Sequence, residues 1–494
     1  MIQPSFPEFK KLAKKGNLVA LRQDLPSDLE TPVSAFLKLA HKEACTFLLE
    51  SAEQEERIGR YSFLGFDPEM ILTLRDQDVY LEKSKRTVLL QRDGDLLEIL
   101  KKYLQGLRLS NPEGLPNFAG GFVGFLGYEN VRSFEQVELR VKRSLDVEEG
   151  VFFLAKNFIL FDHFKKNLSL ISLCELKDRK KATLKKSYAH GRQWIKETSK
   201  RLERSLPKKK PGRHSQSGEF CEASMTRREF EKGVGRIKEY IRAGDCIQVV
   251  FSQRFFLGRV RNDFEIYRSL RSINPSPYMF YFRYKNLRLI GSSPELLVKK
   301  NGNTAEVCPI AGTRKRGASP AEDSRLEENL RRSVKENAEH LMLVDLGRND
   351  LGRVCRFNSI SVSDFARVDR YSHVMHLVSS VKGKLKSGKD AFDLLRATFP
   401  AGTVTGAPKI RAMQIIDELE KEKRGPYAGS LGYYSLNGDM DMCITIRTIV
   451  VHNGKAYVQA GAGVVYDSKP KQEYEETMNK AKALFQAVRE NHAR

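Results

Sequence analysis

The spacing of hydrophobic residues predicts both helices and strands, which do not alternate regularly along the chain. A T-x-x-E capping box beginning at Thr226 opens a run with apolar residues at helical spacing, which predicts a helix ending near Gly244. β-Branched and aromatic residues predict a strand at 246–257 that ends at Gly258, and a second strand at 278–284. Periodic patterns predict three further long helices, at about 321–345, 408–421 and 470–490.

Asparagine-glycine pairs mark tight turns between several predicted strands. They occur at 301–302, 437–438 and 453–454, each between apolar, β-branched runs, which is the signal of a two-residue hairpin. We therefore expect neighbouring strands to pair antiparallel. Helices inserted between hairpins, without a β-α-β alternation, indicate an α+β fold with helices packed outside large antiparallel sheets.

The positive charge of the chain is concentrated in one stretch. The net charge is +23, and residues 177–213 supply about half of it, with 15 Lys or Arg against 3 Asp or Glu. Its Lys, Pro, Ser and Gly content predicts a linker at 206–222 between an N-terminal lobe, 1–205, and a C-terminal region, 223–494. A nucleic-acid-binding scaffold is the alternative. No stacking aromatics or zinc-finger spacing accompany the basic residues, so we expect no nucleic-acid partner.

Composition is typical of a soluble globular protein. With 494 residues and 40% hydrophobic content, the chain can bury a large core. It contains no run of about eighteen apolar residues and no signal-peptide pattern, so we expect a cytoplasmic protein with no membrane partner. Its seven cysteines form no C-x-x-C pair, which favours reduced thiols over disulfides or a zinc site.

Two pairs of glutamates are candidates for metal binding. Glu336 and Glu339, like Glu473 and Glu476, are three residues apart within predicted helices, so both carboxylates of a pair lie on one helix face. Two facing helices would offer four hard oxygen donors to one Mg²⁺. The alternative is a set of solvated surface acids, but apolar residues surround the first pair.

Three further segments contain groups suited to a carboxylated ligand. In FPAGTVTGAPKIRAM (399–413), Thr403, two glycines and Lys409 lie at a helix start that would hold an anion, or else form a plain tight turn. Arg447, in the predicted strand CITIRT, suits a carboxylate, or else a salt bridge at the rim. AGAGVVYDS (460–468) lets backbone amides approach a ligand, unless its glycines form a bulge.

Two histidines, His373 and His376, stand three residues apart in YSHVMH. Histidine exchanges protons near neutral pH. A zinc site would need a third His or Cys ligand at a matching spacing, which the sequence lacks. We therefore expect one of the two to act as an acid or base, and the other to be structural.

Several of these segments together resemble the chorismate-utilising enzymes. The similarity spans 225–485 nearly continuously and lies in PIAGTRKRG, KENAEHLMLVDLGRNDLGRV, FPAGTVTGAPKIRAM, RGPYAGSLGY, CITIRT and AGAGVVYDSKPKQEYEETMNKAKAL. The resemblance implies a sandwich of two large antiparallel sheets in four layers, with 223–494 as the chorismate-binding catalytic region. It also implies that the N-terminal lobe contributes strands to this sandwich.

Two positions separate the activities within that family. Ala311 stands where aminodeoxychorismate-forming members typically carry a nucleophilic lysine. Gln248 stands where isochorismate- and salicylate-forming members typically use a lysine to activate water. Both departures favour the branch that makes anthranilate and pyruvate from chorismate and ammonia, the first step of tryptophan biosynthesis. The aminodeoxychorismate- and isochorismate-forming activities are the alternatives.

The resemblance also implies roles for individual residues. Glu295 is the expected general acid, His376 the expected proton acceptor, and Gln248 is expected beside the attacking ammonia. The cofactor Mg²⁺ is expected at Glu339 and Glu476, supported by Glu336 and Glu473. The residues expected to bind chorismate are Gly312, Thr313, Thr403, Tyr427, Arg447, Gly461, Ala462, Gly463 and Lys480.

Regulation and a partner are implied in the same way. LLESAE (48–53) and NPSPYMFY (274–281) resemble tryptophan-binding elements of feedback-inhibited members. The chain has no glutaminase signature, so a separate glutamine amidotransferase subunit is expected to supply ammonia. Such complexes often contain two large and two small subunits. The residues expected to bind tryptophan are Glu50, Ser51, Pro277, Tyr278 and Met279.

Overall fold

The structure is a computed structural model that describes residues 1–51, 59–84, 86–141, 145–207, 221–370 and 374–492. Its helices are α1 (Phe6–Leu12), α2 (Pro32–Leu39), α3 (Leu96–Gln105), α4 (Lys181–Leu202), α5 (Arg227–Arg242), α6 (Asp263–Ile273), α7 (Pro320–Arg332), α8 (Val334–Gly352), α9 (Ala391–Thr398), α10 (Lys409–Leu419) and α11 (Pro470–His492). Short 3₁₀ turns lie at Tyr128–Ser133 and Gly402–Val404.

The strands of the N-terminal part are β1 (Leu18–Pro26), β2 (Cys45–Glu50), β3 (Tyr61–Phe66), β4 (Met70–Arg75), β5 (Asp78–Lys83), β6 (Arg86–Gln91), β7 (Gly121–Leu126), β8 (Gly150–Ala155), β9 (Asn157–Asp162) and β10 (Asn167–Glu175). Those that follow are β11 (Glu222–Ala223), β12 (Gln248–Arg259), β13 (Tyr278–Tyr284), β14 (Leu287–Ser293), β15 (Leu296–Asn301), β16 (Thr304–Val307), β17 (Ile310–Lys315), β18 (Ser361–Arg370), β19 (Val374–Lys384), β20 (Gly406–Ala407), β21 (Ser430–Ser435), β22 (Met440–Ile444), β23 (Thr448–His452) and β24 (Lys455–Val464).

These strands form two large sheets. Sheet 1 has the order β1-β10-β9-β3-β2-β13-β14-β23-β24-β12-β11, with β20 beside β12. Sheet 2 has the order β17-β19-β16-β15-β22-β21-β7-β8-β4-β5-β6, with β18 beside β19. The three predicted Asn-Gly hairpins are present as the antiparallel pairs β15–β16, β21–β22 and β23–β24. The predicted α+β fold with two antiparallel sheets is confirmed.

Both sheets combine strands from the two sides of the predicted linker. In sheet 1, β2 pairs antiparallel with β13, and in sheet 2, β7 pairs antiparallel with β21. Much of that linker, 208–220, lies outside the described residues. The parts of the chain before and after the linker build a single sandwich. Strands of the region that resembles chorismate-utilising enzymes therefore pair with N-terminal strands.

Aromatic side chains from the two sheets meet in a shared core. Phe282 of β13 stacks on Phe153 of β8 with ring centroids 4.5 Å apart, and burying such rings is strongly favourable. Helices α1, α2, α4, α6 and α11 contribute to the core on the outer face of sheet 1, and α3, α8 and α9 to that of sheet 2. The order of layers is therefore helix, sheet, sheet, helix. Within the described ranges, no helix combines the length and apolar character needed to cross a bilayer.

Two predicted boundaries are wrong. The helix predicted at 321–345 is two helices, because Ser333 interrupts it and its side chain caps α8 by accepting from the N–H of Glu336. Strand β12 does not end at Gly258 but continues to Arg259, because the pairing with β24 accommodates the glycine as an irregularity in register. The first correction places Glu336 in the opening turn of a helix.

Candidate active site

The two glutamate pairs converge from separate helices. Glu336 and Glu339 lie in the first turns of α8, and Glu473 and Glu476 in the first turns of α11. Burial raises the pKa of Glu339, and the charges of Glu336 and Glu476 raise it further. Burial also raises the pKa of Glu473, and the charge of Glu476 adds to that rise. The four carboxylates therefore form one acidic end of a site.

The donor set at this end fits a hard divalent cation. Within the described part of the chain, no three His, Cys, Asp or Glu side chains already form an ion cage. The carboxylates nevertheless repel one another while partly buried, which a bound Mg²⁺ would relieve. Each of them has a polar partner: Glu336 has Arg314 Nη1 at 3.0 Å, Glu476 has Lys480 Nζ at 2.6 Å, Glu339 Oε1 has Gln248 Nε2 at 3.1 Å, and Glu473 has the Ser468 side chain.

Gln248 connects the acidic end to sheet 1. It begins β12 and is only 2% exposed, and its Oε1 has no hydrogen-bond partner among the described residues. A Cβ at Gly463 of β24 would come within 2.8 Å of Gln248 Nε2, so a glycine there leaves room for the amide. A buried acceptor without a partner has capacity for a ligand N–H or a water.

The ring of His376, on β19, is fixed by the backbone of β17. Its Nδ1–H donates to the carbonyl of Gly312 at 3.0 Å, so the neutral ring carries its lone pair on Nε2. Gly312 has φ of 62° at a bulge, and the next residue, Thr313, pairs in register with His376. Burial lowers the pKa of His376, which keeps the ring neutral at pH 7. The other candidate, His373, lies outside the described residues.

Glu295 lies in the turn between β14 and β15 and is 7% exposed. The carbonyl of Glu295 accepts from Ile444 N–H at 3.0 Å, and Ser293 Oγ donates to the Ile444 carbonyl at 2.7 Å. Burial raises the pKa of Glu295 to about 7, although the Thr403 hydroxyl and the charge of Lys480 oppose the rise. This carboxyl can therefore keep a proton near neutral pH.

Arg447 contributes a half-buried positive charge, which forms the cationic end of the site. The prediction that it lies in a strand is wrong, because a local turn separates β22 from β23, with Thr448 Oγ1 donating to the Ile446 carbonyl at 2.8 Å. Arg447 itself has φ of 49°. Its Nη1 donates to the Lys480 carbonyl at 2.7 Å, and burial lowers its pKa. The turn carries the guanidinium out of the sheet plane and towards α11.

A strand edge lies next to this cation. β24 continues past the end of β23, so in the described ladders Gly461, Ala462 and Gly463 pair with β12 on one side. A Cβ at Gly461 would come within 2.8 Å of Tyr427 Oη, and Lys480 Nζ donates to the Gly461 carbonyl at 3.1 Å. Burial raises the pKa of Tyr427 to about 12, so its hydroxyl stays protonated. The segment is a regular strand here and not the bulge that the sequence left as the alternative.

The 399–413 segment does not offer Lys409 as an anion-binding group. Lys409 Nζ donates to both carboxylate oxygens of Asp350, at 2.9 and 2.8 Å. Asp350, Thr403 and Glu295 line one cavity of ≈ 40 Å³. Sequence reasoning missed Asp350, and its one signal was its place in the segment KENAEHLMLVDLGRNDLGRV. The segment therefore positions Thr403, and its lysine forms an ion pair with Asp350 of α8.

Two of the residues expected to bind an inhibitor face the same way. Met279 pairs in register with Glu50 across β13 and β2, and Glu50 accepts a hydrogen bond from the Tyr267 hydroxyl. The hydroxyl of Ser51 is buried without a hydrogen-bond partner among the described residues. Residues 52 and 53 of this predicted element lie outside them.

Tyr278 points to the other side of the sheet. It precedes Met279 in β13, so its side chain projects from the opposite face. The Tyr278 hydroxyl donates to Asp441 Oδ1 at 3.0 Å. Pro277 is half-buried at the start of the strand. The structure thus brings Glu50 and Met279 together, places Ser51 next to Glu50 in the chain, and separates the Tyr278 hydroxyl from Met279.

Comparison with known proteins assigns this arrangement to a family. Residues 44–486 match the family described as chorismate binding enzyme. The chain belongs to the chorismate binding enzymes, which confirms the resemblance found in its sequence.

Within that family, the chain is similar over nearly its full length to one kind of protein. It is 42% identical to anthranilate synthase component 1 of Acetivibrio thermocellus, covering 99% of each chain. It is 44% identical to that of Aquifex aeolicus, covering 98% of this chain and 97% of the relative. The solved anthranilate synthase component I from Streptococcus pneumoniae TIGR4 matches with a TM-score of 0.76 and 36% identity, covering 93% of this chain and 99% of that one.

Proposed function

We propose that this chain converts chorismate and ammonia to anthranilate and pyruvate, as the large subunit of an anthranilate synthase. The observation that supports this proposal is that one site combines an acidic end and a cationic end, which Lys480 links. Chorismate carries two carboxylates, one on the ring and one on the enolpyruvyl group. Arg447 takes one of them directly, whereas the glutamates can accept the other only through a cation.

The acidic end binds the ring carboxylate. Mg²⁺, held by Glu339 and Glu476 with Glu336 and Glu473 in support, would neutralise that carboxylate and the charge that develops on it as the ring is attacked. The backbone at Gly312 and Thr313 borders this end. At the other end, Arg447, the Tyr427 hydroxyl and the backbone of Gly461, Ala462 and Gly463 bind the enolpyruvyl carboxylate.

Ammonia attacks beside Gln248. A neutral amide is a poor base for water, but its Oε1 can accept an N–H of ammonia, which is already nucleophilic. The nitrogen adds to the ring carbon next to the one that bears the carboxylate, and the ring double bonds shift. Glu295, protonated at neutral pH, gives its proton to the ring hydroxyl, which leaves as water.

Pyruvate then leaves in an elimination. His376 Nε2 takes the proton from the ring carbon that now bears nitrogen. The bond from the ring to the enolpyruvyl oxygen breaks, the ring becomes aromatic, and the enolpyruvyl group takes up a proton to become pyruvate. The lowered pKa of His376 keeps Nε2 available for this step at neutral pH.

Ammonia comes from glutamine through a separate amidotransferase subunit. This part of the proposal rests on the lack of a glutaminase signature in the sequence and on the name component 1 carried by the relatives. Tryptophan inhibits the enzyme at Glu50, Ser51 and Met279. The buried Ser51 hydroxyl and the carboxylate of Glu50 are polar groups that such a ligand would contact.

The test supplies pure protein with chorismate, Mg²⁺ and an ammonium salt, and follows anthranilate by its fluorescence. We expect anthranilate and pyruvate in equal amounts, and inhibition when tryptophan is added. Formation of isochorismate or aminodeoxychorismate, with no anthranilate, would reject the proposal. Turnover that tryptophan leaves unchanged would reject the regulatory part alone.

A further inference from the structure

A buried arginine, Arg424, lies where several elements of the candidate site meet. It is 2% exposed and forms a two-point ion pair with Glu420, with Nε–Oε2 at 2.9 Å and Nη2–Oε1 at 2.6 Å. Glu420 also accepts from the N–H and the hydroxyl of Ser252 on β12, each at 2.8 Å. The pair is thus anchored on both α10 and sheet 1.

The remaining guanidinium donors reach two backbone carbonyls. Arg424 Nη1 donates to the Val404 carbonyl at 2.7 Å, and Nη2 to the Val250 carbonyl at 2.8 Å. Val404 directly follows Thr403, and Val250 pairs in β12 with Gly463. One side chain therefore joins the loop that carries Thr403 to the strands that carry Gln248 and Gly463.

The same guanidinium also contacts the aromatic side chains of the site. Its carbon lies 5.5 Å from the ring centroid of Tyr427 and 4.8 Å from that of Tyr128, within cation–π range. The backbone N–H groups of Arg424 and Gly425 donate to the carboxylate of Glu129 at 2.7 and 3.0 Å. The segment that leads into Tyr427 is therefore held through the backbone of Arg424 and Gly425 and through the side chain of Arg424.

We infer that Arg424 is a positioning residue, which sets Thr403, Gln248 and Tyr427 at the distances that chorismate binding requires. This inference rests on the proposed function and adds a residue that touches no substrate. A lysine could keep the charge opposite Glu420, but its single ammonium lacks the planar fork that also reaches both carbonyls. Small displacements of binding groups cost about 100-fold in rate.

The chain offers a matched control in Arg254. It is 6% exposed, lies in the same strand as Val250, and its guanidinium pairs with Glu422 at 2.9 Å and binds Gln459. Among its partners in the described part of the chain, which also include the Lys423 carbonyl, we assign none to chorismate binding. A lysine keeps a charge opposite the carboxylate in each pair but loses the planar fork, so both replacements are expected to lower stability.

The experiment compares Arg424→Lys with Arg254→Lys in the full chain, using thermal unfolding, chorismate binding by calorimetry, and kcat and KM with ammonia. We expect Arg424→Lys to weaken chorismate binding and to lower kcat/KM about 100-fold, while Arg254→Lys changes both less than tenfold. Guanidinium chloride at millimolar concentration should restore activity to Arg424→Ala but not to Arg254→Ala. Equal losses in the two lysine variants, or absence of rescue, would overturn the inference.

Failure of the proposed function would look different. The wild-type chain would then bind chorismate without forming anthranilate, and the calorimetric comparison of the two lysine variants would still decide whether Arg424 positions the site. If the wild-type chain forms anthranilate and Arg424→Lys binds chorismate as tightly, the positioning role is wrong while the function stands.

Discussion

The two ends of the candidate site have opposite charge, and at each end burial disfavours the charged form of a side chain. Burial and neighbouring carboxylates raise the pKa of Glu339, whereas burial lowers the pKa of Arg447. A satisfied ion pair would shift each pKa in the other direction. Each end would therefore be stabilised by a ligand of opposite charge, which under the proposed function is a cation at the glutamates and a carboxylate at the arginine.

Lys480 connects the two ends through α11. Its ammonium pairs with Glu476 at 2.6 Å, while its backbone carbonyl accepts from Arg447 at 2.7 Å. One residue of the acidic end is thus linked to the arginine of the cationic end. Such a link favours a ligand with two charged groups at a set distance.

The acidic end should give the largest effect when it is broken. Replacing Glu339 or Glu476 by glutamine removes a charged donor from the cation, and we expect the rate of anthranilate formation to fall by about 10³-fold or more. Titrating Mg²⁺ into each variant and measuring fluorescence checks this. Glu475→Gln, an exposed neighbour on α11, is the matched control and should behave like the wild type. Near-normal rates in Glu339→Gln and Glu476→Gln would remove the metal from the proposal.

Short-range signals in the sequence predicted the parts that depend on neighbours in the chain. Three-residue spacing placed Glu473 and Glu476 near each other on one helix, and Asn-Gly pairs located the hairpins. The break between α7 and α8 also had a signal, since Ser333 and Glu336 form an S-x-x-E pattern typical of a helix start. That break was predictable, and it sets the direction in which Glu336 points.

Long-range pairing is what the sequence left open. Strands β2 and β13 are neighbours, yet Glu50 and Met279 are far apart in the chain, and no local pattern encodes that register. The left-handed conformation of Arg447 is similar, because its surrounding β-forming residues favour a strand. The pairing of Lys409 with Asp350 also depends on packing between α8 and α10. In each case the feature is decided by contacts between residues far apart in the chain, which local sequence patterns do not encode.

Replacing Glu295, the expected general acid, should give the next largest effect. A general acid contributes about 10²- to 10⁴-fold, so Glu295→Gln should lower kcat within that range. Because burial raises its pKa to about 7, the wild-type rate should fall as the pH rises above 7, where the carboxyl loses its proton. A glutamine has no proton to lose, so this alkaline limb should vanish from the pH–rate profile.

A shorter acid provides the control for that profile. Glu295→Asp keeps a carboxyl but draws it back towards the backbone and lowers its intrinsic pKa, so the limb should persist at lower pH. An unchanged limb in Glu295→Gln would show that another group controls the alkaline decline and would exclude Glu295 as the proton donor.

The cationic end should respond more mildly, because a lysine can replace the charge of Arg447 but not its two-point geometry. Hydrogen bonds to charged groups contribute about 1.5–3 kcal/mol, so we expect Arg447→Lys to lower kcat/KM for chorismate by about 10- to 100-fold, mainly through KM. Arg283→Lys is the matched control, since Arg283 is a buried arginine paired with Asp263 at 3.0 Å. Steady-state kinetics at saturating Mg²⁺ separate the two variants. If both raise KM equally, Arg447 stabilises the fold and the enolpyruvyl carboxylate binds elsewhere. If only Arg447→Lys raises KM, Arg447 binds a carboxylate of chorismate, and the two charged ends together select the substrate.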